Sequence, residues 1–133
     1  MRTQGEIESD ICRKIASLEQ ELTGRGPKRI QTNLVGDRLE VRLHRVLTAI
    51  EEHLVKTETG RDLLKQVRAQ LVELARPVVV AMIQTATGVE VFSLYHDISA
   101  ATGEEVVLIT LAKSPVVREK NRPSFSRDYS QLG

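Results

Sequence analysis

An α+β fold in the order α-β-β-α-α-β-β, with an antiparallel sheet of two hairpins packed against a long helix, is predicted by three features of the sequence. An amphipathic run precedes Gly24, two alternating stretches flank Gly36-Asp37, and a long run of helical period separates this hairpin from a second one after Gly88. The chain of 133 residues suits one core. The expected organisation is a single domain over residues 1–112 and a mobile C-terminal tail over 113–133, where Pro115, Pro123, several Ser and an excess of basic residues gather.

The first element places Ile7, Ile11, Ile15, Leu18 and Leu22 at steps of three and four, which makes one apolar helix face. Gly24 can close that helix in the left-handed conformation, and Pro27 prevents it from resuming. Ile30, Thr32 and Leu34 then alternate with Arg29, Gln31 and Asn33, and after Gly36-Asp37 the residues Leu39, Val41 and Leu43 alternate with Arg38, Glu40, Arg42 and His44. That pattern is a hairpin with one apolar face and one basic face. Gly-Asp is not the favoured Asn-Gly order, so the pattern leaves the turn type open.

Thr48 with Glu51 has capping-box spacing, and a short helix to about Val55 is expected to bury Ile50 and Leu54. Thr59 is read as the cap of the long helix, whose apolar residues Leu64, Val67, Leu71, Leu74, Val78 and Ala81 run towards Thr85, roughly 40 Å at 1.5 Å per residue, with a bend at Pro77. This stripe fits either an intramolecular core or a seam against a second copy, so a homodimer or higher oligomer is one expectation. Val89 to Ile98 and Glu105 to Ala112 form the second hairpin, and Val106 to Ile109, apolar at both parities, predicts a strand covered on both faces.

Composition narrows function. Aromatic residues are 3% of the chain, which disfavours a surface that stacks nucleic-acid bases, and a net charge of +1 leaves attraction for polyanions to local clusters. The one cysteine, Cys12, lies on the first helix as a small semi-buried side chain and cannot form an internal disulfide. Acidic residues occupy the N-terminus where a signal peptide needs an apolar run, and no apolar stretch reaches bilayer length. The expectation is a cytoplasmic protein that reaches a membrane only through a partner.

Chemistry-bearing motifs are sparse. His44, His53 and His96 lack metal-site spacing, and His96-Asp97, the nearest approach to an acid/base pair, puts adjacent residues on opposite faces of a strand. Asp97 is read instead as organising the loop through Ser99. The stretch GRGP at Gly24 to Pro27 lacks the Lys-Ser/Thr of a phosphate loop. Lys56 to Arg61 holds only one of the two glycines of an RNA-clamping loop of the KH type. No catalytic residue, metal or cofactor is assigned. The remaining candidate surface is the basic face, Arg25, Lys28, Arg29, Arg38, Arg42, His44 and Arg45, which suits phosphate, nucleic acid or an acidic partner.

In order and spacing, several short motifs resemble those of the MpsC-like family over about residues 6 to 112. They are Gly24 to Lys28 (GRGPK), Gly36-Asp37, Leu47-Thr48 with Glu51, and Lys56-Thr57-Glu58 with Gly60-Arg61. Further along come Ala75-Arg76-Pro77, Thr87-Gly88-Val89, Asp97-Ile98-Ser99 and Thr102-Gly103-Glu104. The resemblance marks Gly24, Gly26, Pro27, Gly36, Asp37, Thr48, Glu51, Gly60, Pro77, Asp97 and Gly103 as family-motif structural positions. Ala49 and Ile50 depart from it, since a Pro-Ala pair is common there. It implies a soluble accessory component of membrane machinery for cation-coupled or inorganic-carbon uptake, with a membrane transport protein as partner, and it implies no reaction.

Overall fold

The computed structural model describes residues 2–118 and 125–128. Helix α1 (Gln4–Thr23) begins at a capping box in which the Thr3 hydroxyl accepts from the Glu6 amide and the Glu6 carboxylate from the Thr3 amide, and it closes at Gly24. Its inner face buries Ile7, Ile11 and Ile15, and Cys12 is wholly enclosed, with Sγ 3.0 Å from Thr32 Oγ1.

Strands β1 (Arg29–Val35) and β2 (Arg38–His44) pair antiparallel with Val35 opposite Arg38. The two-residue turn has positive φ at Gly36 (62°) but not at Asp37, the φ signs of a type II′ turn. That turn asks for Gly first, which accounts for the Gly-Asp order.

Helix α2 (Ala49–Leu54) starts at the Thr48–Glu51 capping box as expected. Ile50, however, is 74% exposed. A helix this short offers its inward side to only a few residues, and Glu51 and Leu54 occupy it rather than Ile50. Helix α3 (Glu58–Thr87) is capped by Thr57 rather than Thr59, with the Thr57 hydroxyl accepting from the Gly60 amide at 2.9 Å. A Cβ at position 60 would stand 1.8 Å from the Leu54 carbonyl oxygen, so only glycine lets α2 and α3 meet this closely.

At 30 residues, about 45 Å, α3 passes through Pro77 as one helix. Its buried stripe is Leu64, Arg68, Ala75, Ile83 and Ala86, whereas Val67, Leu74, Val78 and Ala81 of the expected stripe lie outside. The helix is apolar on two adjoining sides, and periodicity alone does not say which of them meets the sheet.

Strands β3 (Val91–Ile98) and β4 (Glu105–Leu111) form the second hairpin, with an irregularity between Val91 and Ser93. A fifth strand, β5 (Phe125–Asp128), pairs antiparallel with β1 and gives the sheet order β3-β4-β2-β1-β5. It lies inside the stretch expected to be a mobile tail, most of whose remaining residues, 119–124 and 129–133, fall outside the described ones.

Helices α1 and α3 cover one face of the sheet, against Ile30, Leu34, Leu39, Val41, Leu43 and Ile109. Among the described residues the other face carries no helix. β4 is interior, as its apolar run implied, but Leu108 is 44% exposed because only one side is covered.

Candidate functional site: a buried arginine cluster beside an apolar cleft

Arg68 stands in the buried stripe of α3 with a side chain only 2% exposed, a position that desolvates a charge and demands compensation. Its guanidinium donates from Nε to Glu51 Oε2 (2.8 Å), from Nη2 to Glu51 Oε1 (2.6 Å) and the Val46 carbonyl (3.0 Å), and from Nη1 to Glu19 Oε2 (2.6 Å). Glu105 Oε2 lies 3.7 Å from Nη1 and 2.7 Å from His96 Nε2. One residue of α3 thereby fixes the end of α1, the first turn of α2, the β2–α2 link and the start of β4.

Each partner arrives by a local rule. Glu51 is presented by its capping box, so one carboxylate serves both the α2 terminus and Arg68. Glu19 falls one turn after Ile15 on the inner face of α1. His96 and Glu105 point inward by strand alternation at the end of the β3–β4 hairpin.

The ionisation states follow from this geometry. Burial, reinforced by the negative Glu105 nearby, pushes the Glu19 carboxyl up to about 7 against the pull of Arg68. Burial also opposes ionisation of Glu51, but hydrogen bonds from Arg68 and the Thr48 amide outweigh it and hold that carboxyl below its usual range. Burial would weaken the hold of Arg68 on its proton, yet Glu51 and Glu19 raise it instead. Three carboxylates face one guanidinium, so a proton on Glu19 relieves the excess of negative charge.

Beside the cluster lies a cleft of about 60 Å³ between α1, α3 and the sheet, walled by Ile15, Leu18, Leu22, Leu71, Val79 and Leu94 and reaching Glu19, Arg68, His96 and Glu105. Among the described residues no group of three or more His, Cys, Asp or Glu is arranged to hold a metal ion. Nor is any helix among them long and apolar enough to cross a membrane.

The basic hairpin is placed differently. Strand parity puts Arg29, Arg38, Arg42 and His44 on the open face of the sheet. There Arg42 donates to Glu40 Oε1 (2.8 Å) and Glu104 Oε1 (2.8 Å), and Glu104 also lies 3.6 Å from His44. Arg25 donates to the Leu47 carbonyl, while Lys28 and Arg45 flank the sheet end, Arg45 with φ 56°. Glu104, from the β3–β4 loop, was invisible to a local count of charge around the hairpin.

His96 and Asp97 diverge as alternation requires. Asp97 accepts from the Ile98 amide (2.8 Å) and lies 3.3 Å from Lys65. The backbone bond to Ile98, then Lys65, keep its carboxyl low. The loop is organised by Ser99, which donates to the Glu104 carbonyl and accepts from Gly103 and Thr102, rather than by Asp97 acting on Ser99. The cluster itself was missed because Glu19, Arg68 and Glu105 are far apart in sequence. A lone arginine inside an apolar helical stripe was the available signal.

Residues 3–113 match the family model described as "Na+-translocating membrane potential-generating system (MpsC)". Over 110 residues the chain is 33% identical to the uncharacterized protein YbcI of Bacillus subtilis (strain 168), covering 83% of this chain and 89% of that protein. No solved structure matches.

Proposed function

The chain belongs to the MpsC family, and from that premise we propose that it is a non-enzymatic accessory or regulatory protein of a membrane cation-transport system, which it contacts by docking from the cytoplasm. The observation that carries this reading is the division of labour between inside and outside. Charged groups that could do chemistry are tied to one another within the fold, as Arg68, Glu19, Glu51, Glu105 and His96 are. Large apolar side chains stand on the uncovered side of the sheet and its β3 edge instead, with Phe92 78% and Tyr95 67% exposed.

Aromatic side chains in such places supply most of the energy of a protein–protein contact once a partner excludes water from them. The description of the family supports a membrane system as the partner, and a chain without a spanning helix among its described residues would meet it peripherally. The test is affinity capture from detergent-solubilised membranes of the source organism. The native chain should retain an integral membrane protein, and a Phe92→Ser/Tyr95→Ser variant that keeps its circular dichroism should lose it. Capture of no membrane protein by the folded native chain overturns the reading.

A further inference from the structure

We infer that the outer face of α3 is the seam of a symmetric homodimer in which the two copies of the helix run parallel, an interaction that stands apart from the membrane partner proposed above. Leu63, Val67, Gln70, Leu74, Pro77 and Ala81 follow one another at steps of four, three, four, three and four, and all are exposed. Alternate steps of three and four are the a/d spacing of a two-helix seam, and this one runs about 27 Å along the helix. It is distinct from the stripe that packs on the sheet, which passes through Leu64, Arg68 and Ala75.

What covers this stripe must match a row of residues with no charge of its own and one amide near its middle. A membrane surface or an acidic or basic partner leaves that amide facing lipid or leaves its own charges against Leu74 and Val67. A second copy of the chain does neither. The Gln70 side chain carries both an acceptor oxygen and donor hydrogens, so two of them facing each other can donate and accept in return. From Pro77 to Gly88 the helix carries no charge of its own, and Lys14 of α1, which lines the surface beside Pro77 and Ala81, is paired with Asp10 at 3.2 Å, so no unpaired ionic group is stranded when that half is covered.

Gln70 also selects the direction. A parallel pair sets each residue level with its own counterpart, so polar meets polar at Gln70 and apolar meets apolar at Leu63, Val67, Leu74, Pro77 and Ala81. An antiparallel pair related by a two-fold at the middle of the stripe, between Gln70 and Leu74, sets each Gln70 against the partner's Leu74. Both amides then face an apolar side chain, which costs free energy. A single polar residue inside an otherwise apolar seam is the kind of device that fixes register and strand number at some cost in affinity.

The flanking charge agrees with that direction. Glu73 stands beside the stripe, paired at 3.0 Å with Arg76 of its own chain, which also donates to the Leu94 carbonyl on the sheet side. The parallel two-fold carries the two copies of Glu73 to opposite flanks of the seam, whereas the antiparallel one brings both to the same flank, about 3 Å apart along the helix axis. Because α3 is already folded on the sheet, association does not carry the cost of nucleating a helix that limits short isolated coiled coils. Removing the stripe from water supplies the driving force.

The test is sedimentation and light scattering over a range of protein concentrations. The native chain should run at twice its chain mass. Leu74→Glu, at a site 74% exposed and so harmless to the fold, should raise the dissociation constant at least about tenfold. Gln70→Glu, which sets two carboxylates face to face, should weaken the dimer, and Gln70→Leu should tighten it. Under mild oxidation a Gln70→Cys chain should cross-link to itself. A native monomer at every concentration, even one that binds anionic vesicles through the stripe, overturns the proposal. So does a dimer unaffected by Leu74→Glu, or a Gln70→Cys chain that cross-links only when mixed with Leu74→Cys. Membrane capture reads out at Phe92 and Tyr95, so either proposal can fail alone.

Discussion

Arg68 and Arg42 each hydrogen-bond to two glutamates, Arg68 with a third beside it, yet they sit at opposite ends of the range of worth for such an arrangement. Arg42, Glu40 and Glu104 have side chains 34–38% exposed, so water screens their attraction and each side chain gives up freedom to hold the geometry. Arg68 and its carboxylates are at most 11% exposed. There, removing one partner strands the others without solvent. The hairpin is dense in charge and can lose some of it cheaply. The α3 stripe holds one buried charge, and four elements depend on it. Charge density in a sequence therefore marks a solvated face more readily than a critical one.

The widest separation between the two regions is expected from their arginines. Arg68→Ala should destabilise the fold by about 3–5 kcal/mol in urea titrations at pH 7, because Glu19, Glu51 and Glu105 then lack their cation. A loss below about 1 kcal/mol would erase the contrast with the surface.

A pH series sharpens it next. Glu19 holds its proton in the folded state up to about 7, whereas the ordinary carboxyl releases it near 4.5. Its contribution to stability is thus fully present below the lower value and lost as pH rises through the higher one. Glu51, with its carboxyl held low, works the other way and contributes above the ordinary value, losing that contribution as pH falls. Glu19→Gln removes only the first effect. Measured by urea midpoints, the variant should gain on the native chain by about 1–3 kcal/mol between pH 5 and pH 8. A constant difference across that range would show that Glu19 does not titrate differently on folding.

The smallest effects belong to the open face. Arg42→Ala should change stability by no more than about 1 kcal/mol. Arg38→Ala/Arg42→Ala should leave elution from heparin unchanged, since Glu40 and Glu104 already neutralise much of that face. Elution at distinctly lower salt would instead make the hairpin a polyanion-binding surface.

Much of the fold was legible because it is written in local rules. Thr48 and Glu51 announce a helix start whatever lies around them, and alternation through Ile30–Leu34 and Leu39–Leu43 fixes both the strands and the side they bury. Less was legible where one pattern admits two solutions. Leu64 and Leu74 belong to the same three-four run, yet one is fully buried and the other 74% exposed. An apolar band this wide fits the sheet in more than one rotation.

By itself, then, the sequence determined the order of elements from α1 to β4, the closing glycines Gly24 and Gly88, the Thr48–Glu51 cap, the hairpin faces and the family resemblance. These depend on the backbone and on neighbours a few residues away. Only the tertiary structure decided which side of α3 meets the sheet, that Glu104 would quiet the basic face, and that Glu19, Arg68 and Glu105 would share one buried site. Those outcomes follow from packing and desolvation between segments far apart in the chain, and the cost of burying a charge is set by everything that comes to surround it.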